Sequence, residues 1–232
     1  PLVALALCLG VYFAASAPSA AAGSGTVAKS TTARPAAVPA CAPSVFTMPN
    51  AIDLQDMPTG LNIQTDTPQY YQIYGNTAND IVGQIRTCAP GANGSASAEF
   101  TAQTAYNLNW TYSISSSDAG CNISNVKVGL RIVMSLPSWQ PGSATTPGLT
   151  GRWNNFMSNL LTHEQGHANI DTYYANKIVT DLSSIANVPC GGIVASAKNI
   201  TNNDVTTLSA ANDAYDASTN HGASQGAILP AY

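Results

Sequence analysis

"LTHEQGHANIDTYY", residues Leu161–Tyr174, holds two of the three histidines and one of the two glutamates of a 232-residue chain. Its surroundings decide what these residues can do. Around it Trp153, Phe156, Met157, Leu160, Leu161, Ile170, Tyr174, Ile178, Leu182 and Ile185 recur at steps of three and four, which predicts one long helix from about Thr150 to Ala186. His163 and His167 are one helical turn apart, so their imidazoles project from one face about 6 Å apart along the axis and can reach one ion. Glu164 is rotated about 100° from His163, where a carboxylate flanks such an ion without ligating it. A His-Glu-x-x-His pattern on a helix therefore predicts a zinc site with the glutamate as general base.

A catalytic zinc needs a third protein ligand, and no glutamate follows Glu164. His221, the one remaining histidine, is the expected third ligand. It lies in "YDASTNHG", just past a second helical stretch expected from about Ala195 to Ala217, with Gly222 as its stop. Asp171 is four residues beyond His167, but on a straight helix it lies about 12 Å from His163 along the axis, too far to share a tetrahedral ion. Asp171 and Asp216 are candidates to orient ligand imidazoles from outside the first ring of contacts, the alternative being ordinary solvated carboxylates. Tyr215, Tyr173 and Tyr174 are within reach as a closing electrophile, and the sequence does not choose among them.

Upstream of this helix, Ala105–Ser115 and Cys121–Pro137 alternate with period two and are rich in aromatic and β-branched residues, which predicts an antiparallel pair across "SSDAG". Pro137, Pro141 and Pro147 are expected to end regular structure between that pair and the helix. Before them, "YYQIYG" reads as a strand and "NTANDIVGQIRTC" as a short helix behind a polar cap, followed by the loop "GANGSASA". The expected organisation is residues 1–22 as a signal peptide truncated at its start, 23–40 as a flexible Ala/Ser/Thr/Pro linker, 41–95 as a small α+β lead-in, and 96–232 as the catalytic domain.

Charged residues make up only 9 % of the chain, the formal net charge is −4, and no basic run is present. A phosphate backbone or an anionic bilayer surface would find no electrostatic footprint here, so no nucleic-acid partner and no stable membrane insertion are expected. The apolar run Leu2–Ala15 is too short to span a bilayer comfortably. With Cys8 assigned to the signal segment, Cys41, Cys88, Cys121 and Cys190 form an even set, without CxxC spacing, in a chain expected outside the cytoplasm. Four cysteines allow three connectivities. The favoured one pairs Cys41 with Cys88 and Cys121 with Cys190, the latter stapling a strand to the segment after the long helix.

"YYQIYGNTANDI", "CNISNVKVGLRIVMSLPSW", "RWNNFMSNLLTHEQGHANI" and the tail "YDASTNHGASQGA" together resemble a bacterial family, formerly a domain of unknown function, described as predicted secreted zinc-dependent proteases of the broad zincin group. The likeness spans about Tyr70 to Ala227. It implies an α+β, zincin-like fold: a small antiparallel sheet on a long active-site helix with a second, C-terminal helix, disulfide-stapled. It also implies zinc held by His163, His167 and His221 with Glu164 catalytic. The expected function is a secreted metallopeptidase, extracellular or periplasmic, hydrolysing peptide or protein substrates by zinc-activated water. A surface-displayed structural or binding protein that keeps the fold without turnover is the alternative.

Overall fold

The computed structural model describes residues 3–6, 40–41, 46–90 and 101–230. The linker at 23–39, most of the expected signal segment, and the "GANGSASA" loop lie outside the described residues. The described chain is α+β, with one five-stranded sheet and three α-helices. The strands are β1 (Val3–Ala6), β2 (Gly60–Thr65), β3 (Gln69–Gly75), β4 (Gln103–Ser117) and β5 (Gly120–Pro141); the helices are α1 (Ala78–Cys88), α2 (Leu149–Ser183) and α3 (Ile193–Thr219).

The predicted hairpin is present as β4 and β5, antiparallel from Gln103↔Ser135 to Ser117↔Gly120. The sheet as a whole is mixed rather than antiparallel. β2 and β3 both run parallel to β5, β2 along Lys127–Ile132 and β3 along Ser135–Pro141, so one 22-residue strand serves two short ones end to end. Period-two alternation reports which face a side chain takes and is blind to strand direction, which is set by the path of the connecting chain. The prolines after Leu136 do not end β5 either. Pro137 and Pro141 lie beyond Ser135, where β4 stops, so β5 is an edge strand there and tolerates a residue without an N–H. β1, four residues of the expected signal segment, pairs antiparallel with Trp110–Ser113 of β4.

α1 begins with the capping geometry that its sequence promises: Asp80 N–H donates to Thr77 Oγ1 at 3.2 Å, and Asp80 Oδ2 accepts from Thr77 N–H at 3.0 Å. α2 is 35 residues, about 52 Å long, and buries Leu149, Trp153, Phe156, Leu160, Ala168, Ala175, Ile178 and Leu182 on one stripe. Leu108, Trp110 and Tyr112 of β4 and Val128, Leu130 and Ile132 of β5 supply the facing core. An aromatic run fixes the first turns of α2: Trp139 lies 5.7 Å from Trp153, which lies 5.3 Å from Phe156, and Trp139 Nε1 donates to Gly75 O. Asn107 and Asn109 bond instead to the carbonyls of Pro49 and Ile52, which cover the sheet's other face.

Both favoured disulfides form: Cys41 with Cys88, and Cys121 at the start of β5 with Cys190 between α2 and α3. A further tie joins the two helices: Lys177 of α2 donates to Asp204 of α3, 1 % exposed, at 2.9 Å, and also pairs with Asp181. Among the described residues no helix is long and apolar enough to cross a membrane.

Candidate metal centre

α2 and α3 pack side by side with the histidine face of α2 turned toward the last turns of α3 and the start of β4. The reach of Asp216 from α3 makes the centre. Its Oδ1 stands 3.1 Å from His163 Nε2 and 3.1 Å from His167 Nε2, and the two Nε2 atoms are 3.3 Å apart. Three ligand atoms on a tetrahedral ion at zinc's bond lengths of about 2.0 to 2.1 Å stand about 3.3 Å from one another. The spacing of this donor set therefore fits a small tetrahedral cation, and the two nitrogens and one carboxylate oxygen suit zinc.

The outer nitrogens complete that geometry. His163 Nδ1 lies 2.9 Å from Gln225 Oε1, and His167 Nδ1 lies 2.8 Å from Asn212 Oδ1. An amide oxygen can only accept, so each Nδ1 carries its proton, which leaves both Nε2 atoms free to ligate once His167 sheds its second proton. Each amide is held in turn: Asn212 Nδ2 donates to Asp171 Oδ1 at 2.9 Å, and Gln225 Nε2 donates to Tyr215 Oη at 3.0 Å. Tyr215 itself stacks on His163 at 5.1 Å and 12° and meets His167 edge-on. Gly166 leaves the space that the Tyr215 ring fills.

Of the sequence-predicted residues, His163, Glu164, His167, Asp216 and His221 converge on one cleft. Asp216, a candidate for a place outside the first ring of contacts, reaches between the imidazoles. Asp171, 1 % exposed, accepts from Asn212 Nδ2 and makes no hydrogen bond to either histidine among the described residues. His221 lines the same cleft with Nδ1 3.8 Å from Asp216 Oδ1, on a left-handed turn, Asn220–His221–Gly222, at φ 49°, 50° and 79°. Gly222 is required there by its φ and by proximity, since a Cβ would lie 3.0 Å from His163 Cγ. Tyr173 and Tyr174 pack on each other away from the cleft, whereas Tyr106 of β4, not singled out in the sequence, lines it. Asn212 and Thr104 stand in no motif of the sequence, and Gln225 stands in the tail motif without an assigned role. Asn212 lies one turn before Asp216, a spacing that becomes meaningful only once α3 is known to face α2.

Glu164, 3 % exposed, lies beside the histidines with Oε2 accepting from Thr104 Oγ1 at 2.7 Å. Burial pushes its carboxyl above the usual range, against the pull of the Thr104 bond and the two imidazoles. Burial also works against a charged His167, but bonds to Asp216 and Asn212 and the nearby carboxylates outweigh it, and the metal-free imidazole is pushed up to about 9. Asp216 is held below its ordinary value, the His167 contact outweighing burial. These groups open on a cleft of about 240 Å³, in which no lysine or arginine takes part among the described residues.

Comparison with curated proteins and with solved structures returns no match. Residues 68–222 match the model of a bacterial protein family of unknown function, DUF922. That span contains His163, Glu164, His167, Asp216 and His221, and covers most of the chain. This chain belongs to the DUF922 family of bacterial proteins.

Proposed function

We propose that the protein is a zinc-dependent metallohydrolase acting outside the cytoplasm, a metallopeptidase of zincin-like design cleaving peptide or protein substrates. The observation that carries this reading is the convergence of two imidazole Nε2 atoms and the Asp216 carboxylate at tetrahedral-edge spacing, beside a buried glutamate on an open cleft. His163, His167 and Asp216 would hold the ion, with His221 at its margin. When bound, zinc supplies Lewis acidity toward a scissile carbonyl and an attacking water.

The chain's own groups supply the rest. Glu164 is a carboxylate whose raised affinity for a proton suits it to take one from the attacking water and return it to the leaving amine nitrogen. Gln225 and Asn212 hold the imidazoles in one tautomer and one orientation, which keeps the ligand atoms in place through the cycle. The two disulfides favour an oxidising compartment.

The test is metal content by elemental analysis, together with turnover of a mixed peptide library, for the wild-type protein and Glu164→Gln. About one zinc per chain in both proteins, with turnover in the wild type alone, is expected. Protein purified without chelators that carries no stoichiometric metal would overturn the metal centre, and equal turnover by Glu164→Gln would overturn the role of the glutamate. Zinc without turnover would leave a binding protein.

A further inference from the structure

We infer that Thr104 is the positioning residue for the Glu164 carboxylate, tethering one of its oxygens to the sheet so that the other faces the cleft; this rests on the reading of Glu164 as the proton carrier. β4 alternates, and its even positions Leu108, Trp110 and Tyr112 are buried in the core under α2. Thr104 continues that face by period two, yet it is polar and sits opposite Glu164, 60 residues away in sequence. Its hydroxyl is 2.7 Å from Glu164 Oε2 and 3.2 Å from Glu164 O. One hydroxyl proton serves one of these at a time, and the shorter bond to a carboxylate is the stronger.

The tether decides direction. Glu164 borders the His163 and His167 imidazoles on one side and β4 on the other, and its carboxylate accepts no other hydrogen bond among the described residues. A free carboxylate next to two imidazoles is drawn toward them and would crowd the ligand atoms. Thr104 holds Oε2 on the sheet side, away from that cluster. Threonine suits this better than serine because its branched Cβ restricts χ1, so the hydroxyl direction is set by the strand.

Two measurements test the inference. Thr104→Val removes the hydroxyl with little change of shape, and kcat should fall about tenfold or more with KM and zinc content nearly unchanged, while Thr104→Ser should recover most of the loss. The second needs no turnover. The chain has only two glutamates, Glu99 and Glu164, so protein labelled with ¹³C at the glutamate carboxyl gives two signals, and Glu164→Gln identifies one of them. In zinc-free protein Thr104→Val should move the Glu164 signal, and Thr104→Ser should return it. An unmoved Glu164 signal, or a moved signal with kcat unchanged, overturns the inference. A wild-type protein that turns nothing over sinks the peptidase reading alone, and the carboxyl signal still decides the tether. Thr104→Ala serves as the second hydroxyl-free variant if Thr104→Val does not fold.

Discussion

Gly166 is the second free position of the His-Glu-x-x-His pattern and lies inside α2, where replacing glycine by alanine ordinarily stabilises a helix by about 1 kcal/mol. The structure reverses the sign. A Cβ on residue 166 would lie 2.7 Å from Tyr215 Cε1, and nearer still to Cζ and the phenolic oxygen, whereas ordinary contact begins near about 3.5 Å. Tyr215 cannot simply swing aside, being stacked on His163 and bonded to Gln225. Overpacking of this kind costs about 3 kcal/mol at its upper end, and the broken Gln225 contact adds about 1 kcal/mol. Against the helix-propensity gain of about 1 kcal/mol, Gly166→Ala should destabilise the protein by about 2 to 3 kcal/mol. That corresponds to a fall in Tm of roughly 5 to 10 °C for a domain of this size. It should also weaken zinc binding, because His163 loses its stack and Gln225, its Nδ1 partner, loses the Tyr215 bond that holds it. Thermal melts of zinc-free protein measure the first effect and competition with a chromogenic chelator the second. In a Tyr215→Ala background the same Gly166→Ala change should become neutral or stabilising. A Tm unchanged or raised by Gly166→Ala in the otherwise wild-type protein would refute the packing argument.

Replacing Gln225 or Asn212 by leucine should lower zinc affinity about 10- to 100-fold without abolishing binding, measured by the same chelator competition; unchanged affinity would show that the amides do not orient the imidazoles. Chelator-treated protein should lose thermal stability as pH rises from about 6.5 to 9. His167 is raised from its ordinary value to about 9, so its charged contact with Asp216 stabilises fully below the ordinary histidine range and is lost as pH passes about 9. Asp216→Asn should flatten that decline, and an equal decline in both proteins would discount the pair. Asp171, pushed up to about 6 by burial, titrates below this window. Breaking the Cys121–Cys190 crosslink by double serine substitution releases a 69-residue closure and should cost about 4 kcal/mol, read from denaturant melts; a loss under about 1 kcal/mol would show that the β5 contacts alone hold the α2–α3 junction.

Much of the fold was legible where the signal is local. The 35-residue α2, the β4–β5 hairpin and the capped α1 follow from periodicity and capping, which depend on residues a few positions apart. The parallel pairing of β2 and β3 with β5 was not legible, because the direction of a strand is decided by the chain that leads into it. The same division runs through the candidate site. Helix rise alone placed His163, Glu164 and His167 on adjoining faces of one helix and excluded Asp171 from direct ligation. Whether Asp216 or His221 comes nearest the imidazoles depends on how α3 ends. Asp216 lies in its last turn, facing α2, while the left-handed turn that follows carries His221 to a 40 % exposed position at the cleft margin. The sequence by itself spaces the two candidate ligands that share a helix, because one backbone repeat separates them. The third depends on a helix–helix approach and a three-residue turn, and only packing against α2 selects those.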